Sequence, residues 1–225
     1  MQANVRDYPN CRVLVVDDHP AAREGLSWRI AQEPGMVVCG EAAGVQEALK
    51  QVQSLQPDVA VVDITLKDGN GIDLIKRIKA GSPTVRVLAW SMHPESLYAE
   101  RALRAGALGY MNKENTTGTL LEAIWTVYRD GVYLSRTATR QVLARALGTP
   151  LPGAPVESLS NRELQVFGLI GEGQATAAIA EKLQISVHTV ETHRRRIKGK
   201  LGLKSGAELS CRATRWRLQQ EQPEA

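Results

Sequence analysis

Short apolar runs rich in valine recur at nearly even intervals along the first part of this chain, at residues 13–16, 36–39, 59–62, 85–89 and 107–111. Runs of this length that stay apolar throughout, rather than at alternate positions, suit strands buried on both faces. The segments between them carry apolar residues at helical spacing. Examples are Ile72, Ile75 and Ile78 after the turn Asp68-Gly69-Asn70-Gly71, and Leu120, Leu121, Ile124, Val127 and Tyr128. Five strand–helix units in succession predict an α/β fold: a doubly wound parallel sheet covered on both faces, with right-handed crossovers and a ligand crevice at the carboxyl ends of the strands. The chain has 225 residues, and a single domain averages about 150, which leaves one large domain or two ordinary ones.

Polar residues stand where such a fold places chemistry. Asp17 and Asp18 follow the first strand, Asp63 the third, Ser91 the fourth and Lys113 the fifth. In a sheet of order 2-1-3-4-5 the first and third strands are neighbours at the switch point, so the three carboxylates converge. Like charges at close range need a cation, and oxygen-only ligation suits Mg²⁺, which also accepts a phosphate oxygen. An aspartate beside such a metal can attack a phosphoryl group and form an aspartyl phosphate. The Lys113 ammonium and the Ser91 hydroxyl then pair with the other phosphoryl oxygens. His19, just before Pro20, reads as a loop residue and is left out of the ligand set. Thr65 and His93, each two residues past a site residue, are expected to flank the route of the attacking water.

Beyond residue 132 the character of the chain changes. Residues 135–147 keep helical spacing at Val142, Leu143, Ala146 and Leu147, and then three prolines and two glycines within residues 148–155 mark a linker. Four helical patterns follow. Ser160 with Glu163, and Ser205 with Glu208, have the spacing of capping boxes. Residues 176–183 form an amphipathic segment, Gln184-Ile185 a turn, and Ser186 caps a longer helix that Gly202 stops. Helix, tight turn, longer basic helix is the pattern of a helix-turn-helix. Residues 186–217 hold nine basic residues against Glu191 and Glu208, a net charge of +7, which points to a polyanionic partner. On the longer helix Val190, Ile197 and Leu201 fall on a core face, while His188, Glu191, Thr192 and Arg195 fall on another. That polar face is suited to the edges of bases in a major groove, whereas Arg194, Arg196, Lys198, Lys200 and Lys204 are suited to phosphates.

The stretches VLVVDDHP (13–20), VAVVDITLKDGNGIDLI (59–75), VLAWSMH (87–93) and AGALGYMNKE (105–114) resemble the receiver domain of bacterial two-component response regulators. The line LSNRELQVFGLIGEGQATAAIAEKLQISVHTVETHRRRIKGKL is similar to the LuxR-type helix-turn-helix domain. Together the two make the chain resemble a NarL/FixJ-type response regulator. The resemblance implies a receiver over residues 1–132, a linker over 133–156 whose first part is helical, and an all-α, four-helix DNA-binding domain over 157–225. It implies Asp63 as phosphoacceptor, with Ser91 and Lys113 assisting. Mg²⁺ would be held by the acidic pair Asp17 and Asp18, by Asp63 and by the backbone carbonyl of Thr65. Ser91 and Tyr110 become the switch residues. The implied partners are a sensor histidine kinase or a small phosphodonor, double-stranded DNA, and a second copy of the chain on activation. Trp216 and Leu218 are candidates for the dimer contact. Glu191 stands where the family often has lysine, Gln184 where it has a turn glycine, and Ala177 where it often has a polar residue.

Other classes fit less well. A phosphohydrolase of the haloacid-dehalogenase type needs a second aspartate two positions after its nucleophile, and here that position is Thr65. A DNA-binding regulator that works without phosphorylation has no use for the full set of acceptor residues. At 43% hydrophobic, 23% charged and 4% aromatic residues the chain suits a packed globular fold. No run approaches the length of a membrane span, and the first residues lack a signal-peptide pattern, so a cytoplasmic protein without a membrane partner is expected. Cys11, Cys39 and Cys211 are too scattered for a disulfide framework or a zinc site and are expected to be reduced, mostly buried thiols.

Overall fold

The computed structural model describes residues 10–114, 117–147 and 155–221. Of the proline- and glycine-rich stretch 148–155, residues 148–154 lie outside the described residues. By its internal contacts the chain divides into two units, Met1–Leu143 and Ala144–Ala225.

The first unit runs β1 (Cys11–Val16), α1 (Pro20–Ala31), β2 (Met36–Ala42), α2 (Val45–Leu55), β3 (Val59–Val62), β4 (Thr65–Leu66), β5 (Gly69–Asn70), α3 (Gly71–Gly81), β6 (Arg86–Ser91), α4 (Glu95–Arg104), β7 (Gly109–Asn112), α5 (Thr117–Tyr128) and α6 (Arg136–Ala146), the last of which spans the division between the units. Five strands form one parallel sheet of order β2-β1-β3-β6-β7. The valine runs of β1 and β3 are explained by burial on both sides, whereas on the edge strand β2 Val37 is exposed and Val38 and Cys39 only half-buried. Val13, Val15, Val59 and Val61 pack with Leu26 and Ile30 of α1 and with Leu120, Ile124 and Val127 of α5. Leu14, Val16, Ala60 and Val62, which alternate with them, are equally buried toward the opposite face. Each such valine, leucine or isoleucine contributes about 1.5–3 kcal/mol by leaving water.

Three features go beyond the sequence reading. β2 extends past Cys39 to Ala42, and its register on β1 slips between Val13 and Leu14. The turn after Asp63 is a small hairpin in which β4 pairs antiparallel with β5. After α5 the chain returns to the sheet edge: Tyr133 bridges Gly109, accepts a bond from the Tyr110 N–H at 3.0 Å, and donates to the Leu108 carbonyl at 2.9 Å. Gly71 is required where it stands, because a Cβ there would collide with the Asp63 carbonyl. Asn70 caps α3, its side chain accepting from the Ile72 N–H at 2.9 Å.

The second unit holds a 3-10 turn (Pro155–Ser158) and four helices, α7 (Asn161–Gly171), α8 (Thr176–Lys182), α9 (Val187–Leu201) and α10 (Gly206–Glu221). Ser160 and Glu163 form the expected capping box on α7. At α10 only half of the pattern holds: Ser205 Oγ accepts from the Glu208 N–H at 3.1 Å, but the Glu208 carboxylate takes the N–H of Lys204, one residue before the cap. Ser186 caps α9, and Gly202 ends it in the left-handed region. Gln184, in the turn of the helix-turn-helix, also has positive φ, at 49°. Ala175 occupies the cap position of α8 and offers no side-chain acceptor. The core gathers Leu164, Phe167, Ile170, Ile179, Val190, Ile197, Leu209 and Trp216. Trp216 lies 5.3 Å from Phe167, centroid to centroid, so it belongs to this core, while Leu218 is exposed. The expectation of mostly buried thiols needs correction. All three cysteines are free, but only Cys11 is buried; Cys39 sits on the edge strand β2 and Cys211 on the outer face of α10.

Candidate functional site

Two places in the molecule concentrate chemistry. The first is the carboxyl end of the sheet. β1 delivers Asp17 and Asp18 and β3 delivers Asp63, all buried, and the two strands are hydrogen-bonded neighbours. Ligating atoms of Asp17, Asp18, His19 and Asp63 lie within 4.8 Å of one another. The loop after β7 brings in Lys113, whose ammonium donates to Asp17 Oδ2 at 2.6 Å and to Asp63 Oδ2 at 2.7 Å. Burial alone would lower the Lys113 pKa, but Asp63 and Asp17 outweigh it and hold the ammonium above its ordinary range. Burial pushes the Asp63 carboxyl up to about 6 against the pull of that same ammonium.

The other predicted residues surround this cluster. The Thr65 N–H donates to Asp63 Oδ1 at 3.1 Å. Ser91 is fully buried at the end of β6, and its hydroxyl accepts from the His93 N–H at 3.3 Å. Thr65 Oγ1 and His93 Nε2 meet at 2.8 Å. Tyr110 is fully buried, and its hydroxyl donates to the His93 carbonyl at 2.7 Å. Burial raises the Tyr110 phenol well above its usual range, so the hydroxyl remains a donor.

Three residues that the sequence reading does not place at this site lie against it. His19 Nδ1 lies 2.8 Å from Asp18 Oδ1, on the solvent side of the cluster. Trp90 places its ring 4.9 Å from the Lys113 ammonium, a cation–π contact. Tyr98 of α4 stacks on the His93 ring at 4.6 Å. The first is weighed from its place beside the acidic pair and left out of the ligand set; the other two depend on how separate elements meet.

The donor set fits a hard divalent cation. It consists of carboxylate oxygens, and three acids face one lysine. Asp18 Oδ1 is buried and receives no hydrogen bond, an arrangement that costs free energy until a cation meets it.

The second place is the exposed side of α9. His188, Glu191, Arg195 and Arg196 are exposed, and Thr192, Arg194 and Lys198 are half-buried. Among the described residues Arg195, Arg196, Lys198 and Lys204 have no carboxylate partner. Arg194 and Lys200 do: Arg194 Nε lies 3.5 Å from Glu191 Oε1, and the Lys200 ammonium donates to buried Glu163 Oε2 at 2.6 Å and to the Ser158 carbonyl at 3.1 Å. Thr192 bonds its hydroxyl back to the His188 carbonyl at 3.0 Å. Glu191 also accepts from Thr176 Oγ1 of α8 at 3.0 Å. The surface is therefore a cationic helix with a single acid among its outward residues, able to lie along a polyanion. Among the described residues no helix is long and apolar enough to cross a membrane.

Comparison with known proteins agrees with both halves. A family model described as the response regulator receiver domain matches residues 13–125, and one described as bacterial regulatory proteins of the luxR family matches residues 157–213. The chain is 33% identical over 204 residues to the response regulator GacA of Pseudomonas viridiflava, covering 91% of this chain and 95% of that one. It is 34% identical over 204 residues to the oxygen regulatory protein NreC of Staphylococcus carnosus, covering 88% and 94%. Its fold is similar to that of RcsB from Salmonella enterica serovar Typhimurium bound to promoter rprA in the presence of phosphomimetic BeF3−, with a TM-score of 0.62, 24% identity, and 91% and 98% of the two chains covered.

Proposed function

The chain belongs to the two-component response regulators that join a receiver to a LuxR-type DNA-binding domain, and from that premise we propose that a phosphoryl group accepted by Asp63 drives dimerisation and sequence-specific binding to double-stranded DNA. The observation that carries this reading is the buried bridge of Lys113 between Asp17 and Asp63, at 2.6 and 2.7 Å, in a chain whose other unit presents a cationic helix.

Asp17, Asp18, Asp63 and the backbone carbonyl of Thr65 would hold Mg²⁺, which when bound offsets the charge of the carboxylates and of the phosphoryl oxygens. The chain's own residues do the rest. A carboxylate oxygen of Asp63 attacks phosphorus, and the bond to the donor breaks: phosphorus–nitrogen for a phosphohistidine of a sensor kinase, phosphorus–oxygen for a small acyl phosphate. The leaving group keeps the electron pair. Lys113 exchanges its contact with Asp63 for a phosphoryl oxygen, and the Ser91 hydroxyl donates to another. Movement of Ser91 shifts the loop whose His93 carbonyl holds the Tyr110 hydroxyl, so the switch acts on β7 and α4. Thr65 and His93 flank the route of water and set the lifetime of the acyl phosphate, which the protein hydrolyses itself. Activity of this kind belongs in the cytoplasm, beside both kinase and chromosome. In a dimer the two copies of α9 would address half-sites about one helical turn apart, roughly 34 Å.

Sedimentation equilibrium of the full chain with Mg²⁺, with and without beryllofluoride, tests the reading. A monomer that becomes a dimer with beryllofluoride, and an Asp63→Asn variant that stays monomeric, is the expected result. Equal association states in both chains would overturn phosphoryl control of assembly.

A further inference from the structure

The bond between Thr176 and Glu191 has a consequence for which base pair α9 selects. Glu191 projects from the first turns of the helix with its side chain 56% exposed. One carboxylate oxygen, Oε1, is held from two sides, by the Thr176 hydroxyl at 3.0 Å and by Arg194 Nε at 3.5 Å. Among the described residues no hydrogen bond reaches the other oxygen, Oε2. A glutamate on a helix surface ordinarily spreads over several rotamers, and fixing it costs side-chain entropy. Here that ordering is made within the protein by a neighbour on α8, and the Arg194 guanidinium offsets the repulsion that a carboxylate meets near phosphates.

We propose that Glu191, positioned by Thr176, is a specificity-determining residue that selects a C·G pair in each half-site by accepting a hydrogen bond from cytosine N4. The proposal rests on the DNA-binding reading above. A carboxylate only accepts, so it is repelled by guanine O6 and N7 and by thymine O4 in the major groove. Two groove donors remain, cytosine N4 and adenine N6. Adenine sets the acceptor N7 beside its amino group, which a second carboxylate oxygen would face, whereas cytosine presents only C–H beside N4. The free oxygen therefore fits cytosine. Thr176 acts through Glu191 and touches no base in this account.

The test is selection of duplexes from a randomised library by the full chain with Mg²⁺ and beryllofluoride, followed by sequencing. The chains compared are the parent, Glu191→Gln, Thr176→Val and Thr176→Ser. The parent is expected to prefer C at one position of each half-site by roughly tenfold, in the range of one good base contact. Glu191→Gln, whose amide both donates and accepts, should turn that position to adenine and leave the others unchanged. Thr176→Val should weaken the preference for C at that position alone, and Thr176→Ser, which keeps the hydroxyl, should restore it. An unchanged motif with Glu191→Gln overturns the role of Glu191. A motif in Thr176→Val as sharp as the parent's overturns the positioning role. Parent protein that selects no motif overturns the DNA-reading premise, and the proposal with it.

Discussion

Three carboxylates and one ammonium share the pocket at the ends of β1 and β3, and the balance among them is a property of single residues. Lys113 meets Asp17 and Asp63, but Asp18 Oδ1 has no hydrogen-bond donor and faces only the exposed ring of His19. A buried acid in that position destabilises the metal-free chain and gives the metal something to repair. Asp18→Asn should therefore melt at a higher temperature than the parent in chelator. In Mg²⁺ at ten times the dissociation constant the parent should gain about 1.4 kcal/mol by mass action, and the variant far less. Thermal melts of both chains with and without the ion check this, and a variant stabilised by Mg²⁺ as strongly as the parent would remove Asp18 from the ligand set. Such a residue is legible in sequence because acid after a valine run marks a strand end. The Trp90 ring beside Lys113 and the Tyr98 ring on His93 are not legible, since alternation along a strand or helix says which face a residue takes and not what another element lays against it.

At the level of elements, local signals and packing divide the work. The five sheet strands are readable as unbroken apolar runs, and all four helices of the second unit because each shows a helical period or carries a cap, as Ser160 and Ser186 do. The β4–β5 hairpin, two residues a side, has no period to read, and the return of Tyr133 to the edge of β7 depends on an unpaired strand edge that only the folded sheet provides. The turn between α8 and α9 shows a local rule that the chain breaks. Gln184 takes φ 49°, where a residue with a Cβ pays roughly 1–2 kcal/mol. Its side chain is exposed, so little packing is lost on removing it. Glycine there would relieve the strain but would loosen the unfolded chain by about 0.4–1 kcal/mol. Gln184→Gly should then stabilise the helical unit by about 0.5–1 kcal/mol, read as a higher urea midpoint with an unchanged slope. A lower midpoint would mean that Gln184 makes a contribution the turn geometry does not contain.

For the whole molecule, the surplus of positive charge in residues 186–217 matters only as far as it reaches phosphate. The net charge of +7 over those residues overstates it, because Lys200 is spent on buried Glu163 and Arg217 lies 3.6 Å from Glu172, both acids outside that stretch, while Arg194 is matched by Glu191, which the sum already counts; Arg195, Arg196, Lys198 and Lys204 remain without acidic partners among the described residues. Each cation that neutralises a phosphate adds about −0.9 to the slope of log affinity against log salt, and a two-fold complex counts every such residue twice. Lys198→Ala should therefore reduce the magnitude of the slope by about 2 in the beryllofluoride-activated chain and by about 1 in any monomeric complex formed by Asp63→Asn. Lys200→Ala should leave the slope alone and instead lower the thermal stability of the helical unit, because it strands a buried carboxylate. Binding titrations over a range of salt concentrations separate these cases. A slope that falls equally for the two lysines would show that the Glu163 bridge opens on DNA, and a slope identical in active and Asp63→Asn chains would show that phosphoryl transfer and the doubling of the DNA interface are not coupled.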